Sequence, residues 1–86
     1  MIQTRYAFII KAPGYNRATH AAQMTSPEFD AQFIGVNDAD EMLSAAEDLV
    51  ADGIQIIELC GGFTPQEATK LRRHFPGIDV GLVTYP

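Results

Sequence analysis

The chain has 86 residues, enough for one small domain spanning 1–86, and its 47% hydrophobic and 20% charged residues are those of a globular rather than a disordered protein. Eleven acidic against six basic residues give a formal net charge of -5, which opposes binding to a phosphate backbone and excludes nucleic acid as an expected partner. Cys60 is the single cysteine and cannot close an internal disulfide. No basic segment followed by a long apolar stretch opens the sequence, and its longest strictly apolar run, Tyr6 to Ile10, is too short to cross a bilayer. A cytoplasmic protein with no membrane partner is expected.

In chain order, Arg5 to Ala12 is apolar on successive residues, the pattern of a strand covered on both faces. Pro13-Gly14 ends it in a turn. Asn16 is then placed to cap a short helix over Arg17 to Gln23, an alanine-containing stretch broken by Ser26-Pro27. Phe29 to Val36 begins with alternation, Phe29, Ala31 and Phe33 opposite Asp30 and Gln32, which suits an edge strand.

Asn37 or Asp38 caps a helix running to about Asp52, with Glu41 completing an imperfect capping box. Met42, Ala45, Ala46, Leu49 and Val50 form its apolar stripe, and Gly53 its left-handed stop. Ile54 to Cys60 reads as a buried strand. Thr64, Pro65 and Glu67 then write a full capping box for a second helix, with Ala68, Leu71 and Phe75 inward and Lys70, Arg72, Arg73 and His74 toward its C-terminal end. Pro76-Gly77 stops that helix, and Val80 to Tyr85 is the last strand.

The expected fold is therefore α/β: a small four-stranded, mainly parallel sheet flanked by two long helices and one short one. Right-handed crossovers and the two continuous apolar strands suggest the order 2-1-3-4, with 1-2-3-4 as the alternative. Ligands of such sheets collect beyond the carboxyl ends of the strands, where the order reverses. That point brings Lys11, Pro13, Gly14 and Tyr15 beside Glu58, Cys60, Gly61, Gly62, Phe63 and Thr64.

Gly61-Gly62 ahead of a helix N-terminus makes a plausible anion pocket, although two glycines before a helix are more often a tight turn. Glu58, a carboxylate in a central strand, needs a partner or a cavity. Lys11 is the candidate partner, giving a structural ion pair as the simpler reading and a general acid or base as the sharper one. Alternation puts Cys60 on the face of Glu58 as a candidate nucleophile, against the reading of a small buried apolar residue. His20 is a further catalytic candidate beside the simpler reading of a solvated histidine, and Tyr15 can cover the pocket or sit in an interface. No metal site and no cofactor is implied.

The strings Ala12-Pro13-Gly14-Tyr15, Thr25-Ser26-Pro27-Glu28-Phe29, Gly35-Val36 and Ile57-Glu58-Leu59-Cys60-Gly61-Gly62-Phe63, with His20, resemble those of a family of short, mostly bacterial proteins of unknown function. The resemblance covers nearly the whole chain and implies no activity, substrate or cofactor. It also implies a polar, glycine-containing tail beyond the last strand in many such proteins.

Two functions stay open at this point. One is a binding or oligomeric module holding a small metabolite, anionic ones included, at the Gly61-Gly62 turn; the other is a small enzyme using Glu58 as acid or base, with Cys60, His20 or Tyr15 assisting. Short length and apolar residues on expected edge strands, Phe29, Phe33, Val83 and Tyr85, predict a homodimer or larger assembly.

Overall fold

The computed structural model describes residues 3–86 as a mixed α/β fold. Its elements are β1 (Thr4–Lys11), β2 (Ala21–Thr25), β3 (Phe29–Val36), α1 (Ala39–Ala51), β4 (Ile56–Leu59), α2 (Pro65–His74) and β5 (Asp79–Leu82). The five strands make one sheet in the order β2-β3-β1-β4-β5. β1 pairs in parallel with β3 and β4, β4 in parallel with β5, and β2 runs antiparallel along β3.

This differs from the expected four-stranded sheet by a strand and by a helix. Asn16 does cap a single turn, its side chain accepting the Thr19 amide and its carbonyl the His20 amide, but no helix follows. The His20 carbonyl instead accepts the Gly35 amide at 2.7 Å, which starts a ladder to β3. Residues 21–25 therefore become β2, the sheet's edge, and β3 moves inside. Ser26 closes the hairpin: its hydroxyl accepts the Glu28 and Phe29 amides and its own amide donates to the Phe29 carbonyl. The last strand ends at Leu82, leaving Tyr85 beyond it.

Both helices lie on one side of the sheet. Ala7, Ile9, Val36, Ile57 and Leu59 merge with Met42, Ala45, Ala46 and Leu49 of α1 and Ala68 and Leu71 of α2 into one buried cluster, which Ile54 and Phe63 complete. Gly53, with φ at 94°, turns the chain from α1 into β4. Two crossovers travelling the same way along a sheet deposit their helices on the same face. The link between β1 and β3, which runs the opposite way, is spent on the β2 hairpin. The other face therefore carries no helix.

Strand alternation identifies what stands there. In register, Tyr6, Phe8 and Ile10 of β1 align with Ala31, Phe33 and Gly35 of β3 and, across β4, with Ile56 and Glu58. Met24 and Ala22 of β2 and Gly81 of β5 extend the same rows. Met24 is 64% exposed and Phe29 is 43% exposed. Over the first half of β3 the polarity is inverted with respect to the core: Phe29 and Phe33 point to the bare side and Asp30 and Gln32 to the helix side, before Ile34 and Val36 rejoin the core.

Candidate functional site

The strand order brings the ends of β1 and β4 together, so the Lys11 to Tyr15 segment and the Cys60 to Thr64 segment share one rim of the sheet. A β-carbon built on Gly62 would stand 3.0 Å from the Lys11 carbonyl oxygen, which accounts for glycine there by packing alone. At Gly61 the Tyr85 ring fills the space a side chain would need.

The polar groups of this turn are largely engaged with one another. Gly62 N and Lys11 N donate to Cys60 Sγ at 3.4 and 3.3 Å, and Phe63 N donates to the Cys60 carbonyl at 3.1 Å. Thr64 caps α2: its hydroxyl accepts the Glu67 amide at 3.1 Å, and Glu67 Oε1 accepts the Thr64 amide at 2.8 Å. Lys11 Nζ reaches the same carboxylate at 3.1 and 3.3 Å and stands 5.2 Å from the centre of the Phe63 ring. The Thr64 amide, and after it Lys11, hold the Glu67 carboxyl below the ordinary carboxylate value, against burial, which pushes the other way. A side-chain carboxylate thus sits where an external anion would dock on the helix.

Lys11 is accordingly not the partner of Glu58. Glu58 aligns with Phe8, and Lys11, three residues further along β1, points to the opposite face. Cys60, just past β4, turns its sulfur onto the backbone of Lys11 and Gly62 rather than standing beside Glu58. Phe63 is 4% exposed and belongs to the core. Pro13 and Gly14 form the exposed turn after β1, where Gly14 N donates to Asn37 Oδ1 and the positive φ of 84° favours glycine.

The bare face gathers the remaining candidates. Glu58 lies half-buried among Phe8, Ile56 and Gly81, and the Tyr6 phenol beside it is pushed above its ordinary pKa, first by burial and then by the Glu58 charge. A β-carbon on Gly81 would meet only Glu58 Cγ, at 3.5 Å, so Gly81 leaves that flank of the Glu58 side chain uncovered. Two strands away, Tyr15 stacks on His20 with ring centres 4.8 Å apart. Their pair fills the notch at Gly35, where a β-carbon would lie 2.5 Å from Tyr15 Cδ2 and 3.1 Å from His20 Cβ. His20 Nδ1 accepts the Asn16 amide at 3.0 Å, which places an uncharged ring's proton on Nε2. A shallow depression of about 230 Å³ opens there, floored by Ile10 and Phe33.

The sequence reading missed Tyr6, Phe8, Phe33 and Gly81 as parts of one surface. Their common parity was legible, but which side lacked helices was not. On the helix side, β2 extends past α1 and leaves a cleft of about 590 Å³ lined by Gln23, Gln32, Ile34 and Leu49, with Arg17 and Asp48 paired at 2.7 Å. Among the described residues no three of His, Cys, Asp and Glu gather to hold a metal ion, and no helix is long and apolar enough to cross a membrane.

No curated protein and no solved structure matches this chain. A family described as "Family of unknown function (DUF6506)" matches residues 4–86. With that match running from the first strand to the last residue, the chain belongs to the DUF6506 family of unknown function.

Proposed function

We propose that this protein is a cytoplasmic small-molecule binding module whose site is the helix-free face of the sheet, centred on Glu58, rather than the Gly61-Gly62 turn. The inverted polarity of β3 carries the reading. A strand that turns Phe29 and Phe33 away from its own core, and Asp30 and Gln32 toward it, is patterned for something to cover the bare side.

The chemistry of that face suits a ligand with an apolar body and a cationic or hydrogen-bond-donating head. Phe8, Phe33, Ile10 and Ile56 supply a floor, Gly81 supplies room, and Glu58 with the Tyr6 hydroxyl supplies an acceptor pair. Among the described residues no lysine or arginine pairs with Glu58, and Lys11 is committed to Glu67. An anion finds less here: the donors of the nearby turn are engaged, and Glu67 occupies the helix N-terminus.

Titration of the labelled protein with 2-phenylethylamine and, separately, phenylacetate tests this. The amine is expected to shift resonances of Tyr6, Phe8, Glu58 and Gly81, and the Glu58→Gln substitution to weaken it at least tenfold, since a hydrogen bond to a charged group contributes about 1.5 to 3 kcal/mol. Phenylacetate binding with shifts centred on Gly61, Gly62 and Thr64 contradicts the proposal.

A further inference from the structure

We infer that the helix-free face is the seat of a second copy of this chain, packed sheet on sheet, and that the proposed pocket is the gap the two copies enclose. The inference shares its surface with the binding reading but does not depend on the ligand.

All-parallel sheets occur almost only with both faces covered, and the parallel part of a mixed sheet carries the same continuous hydrophobic rows. Here four strands are parallel and only one face is covered. The missing layer has a definite size. Five strands at about 4.8 Å spacing and about 20 Å of strand length give a footprint of roughly 500 Å². Two copies would bury about 1,000 Å² together, the lower bound of a specific interface.

Charge permits a copy of the same chain as the occupant, because most of its acids lie away from this face. With a net charge of -5, two copies repel unless the contact excludes their acids. Six of the eleven acidic residues, Asp38, Asp40, Glu41, Glu47, Asp48 and Asp52, lie in α1 or at its caps, behind the sheet. With a screening length of about 8 Å at physiological salt, a layer of sheet and helix puts them beyond effective reach of a partner on the bare face. Glu58, and Asp79 at the β5 margin, are the acids of the face itself. Sheets packed face to face sit about 10 Å apart, a gap that large side chains fill and Gly81 does not. The contact therefore leaves a gap beside Glu58 and Gly81, where the carboxylate keeps water or a ligand between the two copies.

Sedimentation equilibrium of the ligand-free protein tests the inference. The wild type is expected at twice its 9.4 kDa, and Met24→Asp and Phe33→Asp are each expected to weaken association at least tenfold. Met24 is 64% exposed, so its substitution leaves the fold intact and decides the matter even if the Phe33 variant fails to fold. A wild type of 9.4 kDa at all concentrations overturns the inference, as does a dimer unmoved by both variants. A monomer that still takes 2-phenylethylamine removes the dimer and leaves the binding reading; a dimer that takes no amine does the reverse.

Discussion

Removing the Glu67 carboxylate tests whether the N-terminus of α2 is already occupied. In the folded chain that carboxylate accepts the Thr64 amide at 2.8 Å and pairs with Lys11 at 3.1 Å, with the two side chains only 24% and 22% exposed. A cap of this kind stabilises by about 1 kcal/mol. The ion pair, half-sheltered, adds about 0.5 to 1 kcal/mol. Glu67→Ala should therefore lower stability by about 1.5 to 2 kcal/mol, a fall in Tm on the order of 10 °C for a domain of this size. Glu67→Gln keeps an oxygen for the Thr64 amide and should lose only the charge, about 0.5 to 1 kcal/mol.

The pH dependence follows in sign. The folded carboxyl lies below its ordinary 4.5, so its contribution is complete above that value and disappears as pH falls through the lower folded value. Urea melts of wild type and Glu67→Gln should differ at pH 7 and converge as the pH falls through the lowered value of the folded carboxyl. Phosphate should leave wild-type stability unchanged and stabilise Glu67→Ala, whose helix N-terminus is vacated. Equal stability of Glu67→Ala and wild type at pH 7, or stabilisation of the wild type by phosphate, refutes the reasoning.

Two further outcomes follow from the same geometry. Gly35→Ala places a methyl 2.5 Å from Tyr15 Cδ2 and must expel the ring; the loss of its stack with His20 should cost about 1 kcal/mol and shift both rings' proton resonances, and unchanged shifts would contradict the packing described. Asp30, 4% exposed, accepts Gln23 Nε2 at 2.7 Å and the Thr25 hydroxyl at 2.8 Å, and these bonds, with Arg5 nearby, hold its carboxyl below the ordinary value against burial. The pinning of β2 is therefore present above that value and lost as pH falls through the lowered one, so amide protection factors in β2 should drop at low pH before those of β1 and β4; simultaneous loss in all strands would show that Asp30 does not secure the edge.

Much of the architecture was legible because it is written locally. Thr64, Pro65 and Glu67 name their helix without help from the rest of the chain, and Met42, Ala45, Ala46 and Leu49 recur at a helical period that only one face can bury. β2 was hidden because residues 17–23 carry no strong preference against helix. Its strand state comes from the ladder to β3, beginning with the Gly35 amide on the His20 carbonyl, and a non-local pairing leaves no trace in a short window.

The site was half legible for a related reason. The rim shared by Gly14 and Gly62 followed from the pairing of two parallel strands. The partner of Glu58 did not, since register decides which face a side chain takes and a shift of one residue reverses it. Lys11 at first sight shares a height with Glu58; the register with Phe8 puts it on the other side, over Phe63 and beside Glu67. The alternation of β3 was visible from the start. It reads as an edge strand when the helices are assumed to cover the apolar side, and as an uncovered face once both helices are seen on the other.

The bare sheet face is best tested by dissolved paramagnetic broadening of amide and side-chain resonances across a dilution series. The account predicts that Tyr6, Phe8 and Phe33 are shielded at high protein concentration and broadened on dilution, while Glu47 and Asp48 on the outer side of α1 are broadened throughout. Full exposure of Phe8 and Phe33 even in the most concentrated sample, or shielding that the Met24→Asp variant leaves unchanged, would contradict it.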